Sequence, residues 1–306
     1  MNLQYITYQN IDKEKWDQCI RKSQNCLVYA ESTYLDHMAA NWDAVILGDY
    51  EAVMPLTWKK KWGIKYLYQP AFLQQGGIYS PQIINNDIIV TFINFARKYF
   101  NFAEINLNHK NIFSSENPDI IIQKKNNFTI NISEDYTAIC SRYKKSLKEK
   151  LTRINKYDLH YQTTNNFSNC IGLFKTLYQK RTKVRDNDFI NFELLCHHLN
   201  NNNQLIIRQV IDTNKQVLSY ALLINDNNRL YFIMTCITDV GKKKFSNYFL
   251  IDELIKEFSQ QNYLLDFEGS DIKGIADFYK NFTETNEEYL FVKWNNLPFP
   301  IHIFKR

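Results

Sequence analysis

Apolar and polar residues recur along the chain with two periods, and these periods outline its secondary structure. A period of two marks strands, and a period of about 3.6 marks amphipathic helices. In the first part of the sequence, the longer period predicts helices near 13–22, 32–41 and 87–100. The shorter period predicts strands near 3–8, 43–48, 51–57, 63–69, 102–107 and 119–132. We therefore expect a mixed α/β structure.

The same order of elements then begins again. The pattern predicts helices near 167–184, 189–200, 245–260 and 273–281. It predicts strands near 159–164, 263–267, 288–294 and 299–304, and in the runs "LIIRQVI", "QVLSYALLI" and "RLYFIMTCI". A repeated order of elements indicates one topology used twice. We predict domains at 1–135 and 136–306 with a boundary near 132–136, and "LPFPIHIFKR" stays in the second domain or returns to the first.

Composition narrows the class of protein. The chain has 306 residues, of which 45% are apolar and 15% aromatic, enough for a packed core in each of two domains. The N-terminal residues lack the pattern of a secretory signal. The longest apolar run, "DIIVTFINFARKYF", is too short to span a bilayer and contains Arg97 and Lys98. We expect a soluble, cytoplasmic protein without a transmembrane segment.

The six cysteines are scattered, without a CxxC pair. In a cytoplasmic protein such cysteines are typical of a reduced core. The sequence Cys196-His197-His198 does not resemble a metal site, because adjacent helical residues point apart. We expect no metal.

The stretch "LLDFEGSDIKGIADFYKNF" places two carboxylates where a buried strand ends. Because side chains alternate along a strand, Asp266 and Glu268 are predicted to share one face at its C-terminal end, a common place for a ligand crevice. Neighbouring carboxylates raise each other's pKa, so that one can accept a proton from an attacking ammonium group. Gly269 lets the backbone turn or approach a ligand. Alternatively, Asp266 caps the turn and Glu268 is a solvated edge residue.

Three further segments are candidates for binding. In "RYKKSLKEKLTRINK", an apolar helical stripe is surrounded by seven cations against Glu149 alone; an ordinary amphipathic helix is the alternative. In "QPAFLQQGGIYSP", Gln74 and Gln75 precede two glycines, which suggests a loop close to a ligand in an interdomain cleft. The run "WKKKWGIK" (58–65) is typical of a hairpin turn.

The order of elements resembles the GNAT acyltransferase fold, and its doubling resembles the Fem family of peptidoglycan-bridge aminoacyltransferases. The residues that carry the resemblance are "DFEGSDIKGIADFYKNF", "AVMPLTWKKKWGIKYLYQPAFLQQGGIYSP" and "RYKKSLKEKLTRINK". It implies two tandem GNAT-like domains of the acyl-CoA N-acyltransferase fold. The first domain would lie on the acceptor side and the second would hold the donor and the catalytic residues. The basic helix then implies a phosphate-bearing substrate held by Arg142, Lys144, Lys145 and Lys148.

The resemblance also implies a role for Tyr279. GNAT enzymes carry a tyrosine in a pattern like A-x-x-Y-x-x-x-F that protonates the departing thiolate, and "IADFYKNF" matches it nearly. Fem enzymes, as we align them, have lysine where this chain has Tyr279, which favours a thioester donor. The glycine that follows in the family is Thr283 here. Alternatively, Tyr279 packs its ring under the sheet as a structural residue.

The donor's phosphates are expected at "TDVGKKKFSNYFLIDEL", where GNAT enzymes hold a pyrophosphate on free backbone amides. Gly241 matches the family pattern, whereas Thr238 replaces its Gln or Arg and Lys243 replaces its second glycine. Lys242, Lys243 and Lys244 would supply charge instead, and Ser246 would cap the following helix. The alternative is a solvated loop.

These observations predict an N-acyltransferase. It would move an acyl group from acyl-CoA or a similar thioester to an amine on a cell-envelope, sugar-nucleotide or peptide acceptor. Tyr279 would protonate the leaving group, and Glu268 or Asp266 would assist the amine. One alternative is a Fem-like ligase that depends on aminoacyl-tRNA; another is a non-catalytic binder of cell-wall or polysaccharide precursors. No DNA partner is expected.

Overall fold

The chain forms two compact units in a computed structural model that describes residues 2–226, 228–269 and 271–299. The first unit comprises Met1–Lys125 and Glu288–Arg306, and the second comprises Asn126–Glu287. The predicted strand near 299–304 lies, from residue 300 onward, outside the described residues. No helix among the described residues is both long enough and apolar enough to cross a membrane.

The elements of the first unit before residue 126 closely follow the predicted order. They are β1 (Leu3–Ile6), α1 (Lys13–Lys22), α2 (Ser32–Met38), β2 (Trp42–Leu47), β3 (Ala52–Lys61), β4 (Ile64–Leu67), α3 (Asn86–Arg97), β5 (Phe102–Leu107) and β6 (Ile120–Lys125).

The second unit has more helices than the pattern predicts. Its elements are β7 (Thr129–Asn131), α4 (Tyr136–Ser141), α5 (Lys145–Ile154), β8 (His160–Thr163), α6 (Phe167–Tyr178), α7 (Asp186–Asn201), β9 (Leu205–Ile211), β10 (Val217–Asn225), β11 (Arg229–Ile237), α8 (Asp239–Lys243), α9 (Ser246–Phe258), β12 (Leu264–Asp266) and α10 (Lys273–Tyr279). The last strand, β13 (Tyr289–Asn295), belongs to the first unit.

Each unit is built on its own sheet. The first has seven strands in the order β1-β2-β3-β4-β5-β13-β6, and the second has six in the order β7-β12-β11-β10-β9-β8. In the second sheet, β12 runs parallel to β11 and antiparallel to β7. The single strand predicted at 119–132 is in fact two, because the chain leaves the first sheet after Lys125 and enters the second at Thr129.

Polar residues begin the helices and apolar faces hold them on the sheets. Asp12 accepts hydrogen bonds from the first backbone amides of α1, and Asn85 does the same for α3, which satisfies donors that have no partner inside a helix. The buried face of α3 repeats at helical spacing with Ile89, Phe92, Ile93 and Ala96. It packs in the core of the first unit with the buried β13 residues Val292 and Trp294.

The core of the second unit lies between its sheet and helices α5, α9 and α10. Leu250, Ile251, Leu254 and Ile255 give α9 its buried face. Phe267, just after β12, joins the same apolar cluster as Tyr279 and Phe282. The end of β12 is therefore held in a packed aromatic environment.

Candidate functional site

The backbone turns sharply after β12. Asp266 is the last residue of the strand, and Glu268 and Gly269 both adopt left-handed conformations, with φ of 61° and 58°. The alternation of side chains along β12 therefore ends at Asp266. The prediction that Asp266 and Glu268 share a face relied on this alternation, which does not extend to Glu268. A left-handed conformation is uncommon for glutamate and typical of glycine.

Asp266 is fully buried and bonded on several sides. Its Oδ2 lies 2.5 Å from Nη1 of Arg229 and accepts a hydrogen bond from Nδ2 of Asn127 at 3.2 Å. Its Oδ1 accepts the backbone N–H of Glu268 at 2.9 Å, so Asp266 does cap the turn, as the alternative interpretation stated. A buried carboxylate with these partners fixes the turn that carries Glu268.

Arg229 is a residue that the sequence analysis missed. It begins β11, is 8% exposed and also donates from Nη2 to Oε2 of Glu287 at 2.9 Å. Burial would lower the pKa of the guanidinium, but the charges of Asp266, Tyr231 and Glu287 raise it above its ordinary value. The sequence held one sign of this role. Arg229 stands at the start of an apolar strand, where its charge would be buried, and a buried cation requires a buried partner of opposite charge.

Tyr279 lies at the end of α10, 5% exposed, with its ring stacked on Phe267 at 4.6 Å between centroids. Burial raises the pKa of its hydroxyl well above the ordinary value, and the charges of Glu268 and Asp266 raise it further. The phenol therefore keeps its proton at neutral pH. The structure thus brings together the three residues that were predicted to be catalytic, although it packs the ring of Tyr279 as a core residue as well.

The segment that was predicted to cradle phosphates is helical. Thr238 caps α8 and accepts the N–H of Gly241 on its hydroxyl at 3.0 Å and that of Lys242 on its carbonyl at 2.9 Å. The N–H of Lys244 donates to the carbonyl of Val240 at 3.1 Å. These amides are used inside the protein, so they do not form the open cradle that the pattern suggested.

Gly241 is required for packing. A Cβ atom there would lie 2.4 Å from the carbonyl oxygen of Leu218 and 2.6 Å from Oγ of Ser246. Lys242 and Lys243 are both exposed; Lys242 forms an ion pair with Asp239 at 2.7 Å, and the half-buried Lys244 forms one with Asp212 at 3.0 Å.

Ser246 was predicted to cap the long helix that follows, and this is wrong. Phe245 is the N-cap of α9, in a left-handed conformation with φ of 58°, and Ser246 is the first helical residue. Ser246 is fully buried, and its hydroxyl has no hydrogen-bond partner within the part of the chain that the structure describes.

The basic segment contains a shorter helix than the one predicted over 142–156, because α4 ends before it at Ser141 and α5 covers only Lys145–Ile154. Its apolar stripe is confirmed, since Leu147 and Ile154 are buried. Arg142 follows α4 and pairs with both oxygens of Glu134 at 2.9 Å, and Nζ of Lys148 donates to the carbonyl of Ser141 at 2.6 Å. The side chains of Lys144 and Lys145 are exposed at the start of α5.

The loop with Gln74 and Gln75 is bonded inside the first unit. Gln75 is fully buried, and its side chain accepts the N–H of His109 at 2.9 Å and donates to Oε1 of Gln74 at 2.8 Å. Gly77 has a φ of 92°, and a Cβ there would lie 2.3 Å from Oδ1 of Asn111. Gly77 therefore serves close packing against an asparagine side chain.

The first unit contains a pocket of about 410 Å³ that includes none of the predicted site residues. Aromatic rings and carboxylates line it, among them Tyr8, Trp42, Trp58, Asp36 and Asp43. Both carboxylates are bonded: Asp36 by Lys13 and Trp42, and Asp43 by Tyr5 and the backbone of Tyr8. This volume is within the range of small-molecule sites.

Comparison with known proteins shows similarity at the level of the fold. No protein-family model and no curated protein sequence matches this chain. FemX is 12% identical, with a TM-score of 0.63 and coverage of 99% of both chains. A conserved protein of unknown function from Bacteroides thetaiotaomicron is 11% identical, with a TM-score of 0.61 and coverage of 95% of this chain and 99% of that one.

L-PGS from Bacillus licheniformis is 9% identical to this chain, with a TM-score of 0.53 and coverage of 96% of this chain and 95% of that one. These similarities extend over nearly the whole chain. The predicted fold is therefore confirmed: the chain has a Fem-like GNAT fold with two GNAT-like domains, although the sequence of the second is inserted into that of the first.

Proposed function

We propose that this chain is a transferase that moves an acyl or aminoacyl group from an activated donor to an amine, with its reacting centre at the end of β12. The proposal rests on the place of Tyr279 beside the turn after β12: its ring stacks on Phe267, the residue between Asp266 and Glu268, and the charges of both carboxylates raise the pKa of its hydroxyl. General acid and base groups of this kind serve acyl transfer. The Fem-like fold supports the proposal.

Each residue has a distinct role in the proposed reaction. The acceptor amine attacks the donor carbonyl carbon, and a C–N bond forms as the bond to the leaving sulfur or oxygen breaks. The amine loses a proton and the leaving atom gains one. We assign Glu268 as the acceptor of the amine proton, directly or through water, and Tyr279 as the donor to the leaving group. Asp266 is a positioning residue, because it holds the backbone of Glu268 and is itself bonded to Arg229.

The first candidate donor is acyl-CoA or a similar thioester, with the amine on a cell-envelope, sugar-nucleotide or peptide acceptor. A tyrosine where Fem enzymes have lysine supports this choice. A CoA diphosphate would have to bind through lysine side chains near α8, chiefly the exposed Lys243, because the amides of Gly241 and Lys242 are bonded internally.

The second candidate donor is an aminoacyl-tRNA, and two observations favour it. The bonded amides of α8 remove the usual reason to expect a CoA diphosphate there. The raised pKa of Tyr279 also suits an oxygen leaving group. A thiolate, whose conjugate acid has a pKa of about 8.5, is too weak a base to draw a proton efficiently from such a phenol, whereas a ribose alkoxide is far more basic.

The experiment offers the purified protein a panel of acyl-CoAs and a charged tRNA pool, each with amine acceptors of the classes named above, and detects amide products by mass spectrometry. With the productive donor, Tyr279→Phe should lower kcat by about 10²–10⁴. Tyr220→Phe is the matched control, since Tyr220 in β10 is equally buried at 5%, and its turnover should not change.

Two results would contradict parts of the proposal. Wild-type turnover in a folded Tyr279→Phe variant would remove Tyr279 from the chemistry. Absence of transfer from either donor class, with binding of the acceptors retained, would instead support a non-catalytic binder of cell-wall or polysaccharide precursors.

A further inference from the structure

The hairpin between β3 and β4 continues past the sheet to which both strands belong. β3 pairs with β2 only as far as Thr57, and β4 pairs with β5 only at Leu67. Between these positions, among the described strand pairs, β3 and β4 pair only with each other, from Lys59 opposite Tyr66 to Lys61 opposite Ile64. We call residues 59–66 the basic ribbon.

The basic ribbon concentrates positive charge at a cost to its own stability. Its sequence, "KKKWGIKY", contains four lysines and no carboxylate. Lys60 and Lys65 are directly opposite each other on the two strands. Like charges at such positions repel and destabilise a strand pair. A local conflict of this kind is expected where a partner of opposite charge binds.

The tip of the basic ribbon is also unusual for a turn. Trp62 and Gly63 both have positive φ, 51° and 80°, the arrangement that normally selects asparagine followed by glycine. A bulky residue in this conformation is strained. The indole of Trp62 is nevertheless 71% exposed, so burial in the described protein does not compensate for the strain.

We propose that the basic ribbon binds the surface of an anionic lipid bilayer. Trp62 would enter the interface between headgroups and acyl chains, where tryptophan is enriched in membrane proteins. Lys60, Lys61 and Lys65 would lie at the level of the lipid phosphates. A short aromatic tip with adjacent lysines provides both the apolar and the electrostatic contribution to reversible binding.

A bilayer fits this arrangement better than a nucleic acid does. Bases would stack on aromatic faces distributed along the surface, but Nζ of Lys65 lies 4.0 Å from the ring centroid of Trp58 and Nζ of Lys59 lies 3.9 Å from that of Tyr68. These two rings are therefore covered on one face by the protein's own ammonium groups. Nζ of Lys61 also lies 4.6 Å from the ring centroid of Trp62, but this indole is 71% exposed and stands at the turn itself, where it can contact a flat surface.

The experiment measures binding of the full-length protein to vesicles of phosphatidylcholine with and without phosphatidylglycerol. The wild type should co-sediment with the anionic vesicles, and the binding should weaken as salt is raised. Lys60→Gln combined with Lys61→Gln should weaken it roughly 10- to 30-fold. Arg21→Gln with Lys22→Gln removes the same charge from another exposed site of the first unit and should weaken it less than about threefold.

Trp62→Asn tests the aromatic tip, because asparagine tolerates the left-handed turn. It should weaken vesicle binding about tenfold. Brominated lipids should quench part of the tryptophan emission of the wild type, and this quenched part should be absent from Trp62→Asn. Circular dichroism and thermal melting establish that each variant is folded.

Two outcomes would overturn the inference. The first is equal vesicle binding by the wild type and the ribbon variants. The second is loss of binding to a tRNA pool by the ribbon variants while vesicle binding is unchanged, which would make the basic ribbon an RNA site. Neither readout involves acyl transfer, so the inference stands or fails separately from the proposed function.

Discussion

At the scale of single residues, one buried arginine decides what the acidic pair can do. Asp266 is bonded to Arg229, to Asn127 and to the backbone of Glu268. A carboxylate with all these partners is an anchor, and the other carboxylate, Glu268, is the better candidate for a base. The two acidic residues are therefore not equivalent, although they stand two positions apart in an acidic motif.

Replacing Arg229 should have a large effect on stability. Arg229→Met would leave Asp266 buried without its cation, and we expect a loss of about 3–5 kcal/mol in the free energy of unfolding. Arg142→Met is the control, because the pair of Arg142 with Glu134 is half exposed, and its loss should cost at most about 1 kcal/mol. Urea unfolding measures both, and equal losses would show that Asp266 does not depend on Arg229.

Two helical glycines should respond to alanine in opposite directions. In Gly241→Ala the new Cβ would lie 2.4 Å from the carbonyl oxygen of Leu218, so we expect a loss of about 1–3 kcal/mol. In Gly172→Ala, nothing lies within 4 Å of the new Cβ, and α6 should gain up to about 1 kcal/mol. Thermal melting measures both changes. A Gly241→Ala variant as stable as the wild type would mean that α8 can move away from β10.

At the scale of elements, α8 formed where an open loop was predicted, and α5 is shorter than the predicted basic helix. α8 forms because the hydroxyl of Thr238 caps it and Gly241 lets it approach β10. The lysines of this segment indicated a solvated or ligand-binding loop from composition, but composition does not reveal a cap that also fits against a neighbouring strand. Helix α4 was likewise not predicted, and it begins at a cap, Asp135.

The contact of α9 with β9 gives a pH dependence to stability. Burial would raise the pKa of Glu257 in α9, but the bonds of its carboxylate with Arg208 and Tyr161 outweigh burial and lower the pKa below its ordinary value of about 4.5. A lowered pKa contributes stability above 4.5 that is lost as the pH falls through the folded-state pKa. Glu257→Gln should therefore cost about 1–2 kcal/mol at pH 7.

The cost of Glu257→Gln should decrease steadily below pH 4.5, where the wild type itself becomes protonated. Urea unfolding of both proteins across this range checks the sign. A cost that is constant with pH would mean that only the shape of the side chain matters and that its charge does not.

At the scale of the whole molecule, the second unit is inserted into the first at a hairpin position. Lys125 ends β6 and is the pairing partner of Tyr289, which begins β13. The 126–287 segment thus leaves and returns between two adjacent strands. β13 lies inside its sheet, paired with β5 and β6, and its Val292 and Trp294 are fully buried.

This topology makes a prediction about fragments. The fragment 126–287 should unfold cooperatively by itself, because its sheet and core are complete. The fragment 1–125 should not, because it lacks an interior strand and exposes the apolar faces beside it. Joining Lys125 to Glu288 through a short Gly-Ser turn should restore a cooperative transition in calorimetry. Cooperative unfolding of the 1–125 fragment alone would contradict the assignment.

Local hydrophobic patterning was enough to predict most of the elements and the order in which they repeat. Hydrophobic periodicity depends on near neighbours, so β5 was predicted with its observed bounds and α1 likewise. The repeated order, with the residues of the β12 turn, was sufficient for the Fem-like GNAT resemblance. It also identified Asp266, Glu268 and Tyr279, which the fold brings together.

How these elements combine depends on contacts between distant parts of the chain. The pairing of β13 with β5 and β6, the partnership of Arg229 with Asp266 and the fit of Gly241 against β10 each join residues that are far apart in the chain. Such contacts depend on burial and on hydrogen-bond partners supplied by other elements, and local periodicity carries no information about either. For this reason the sequence located the acidic pair, but the fold showed which of its members is held in place.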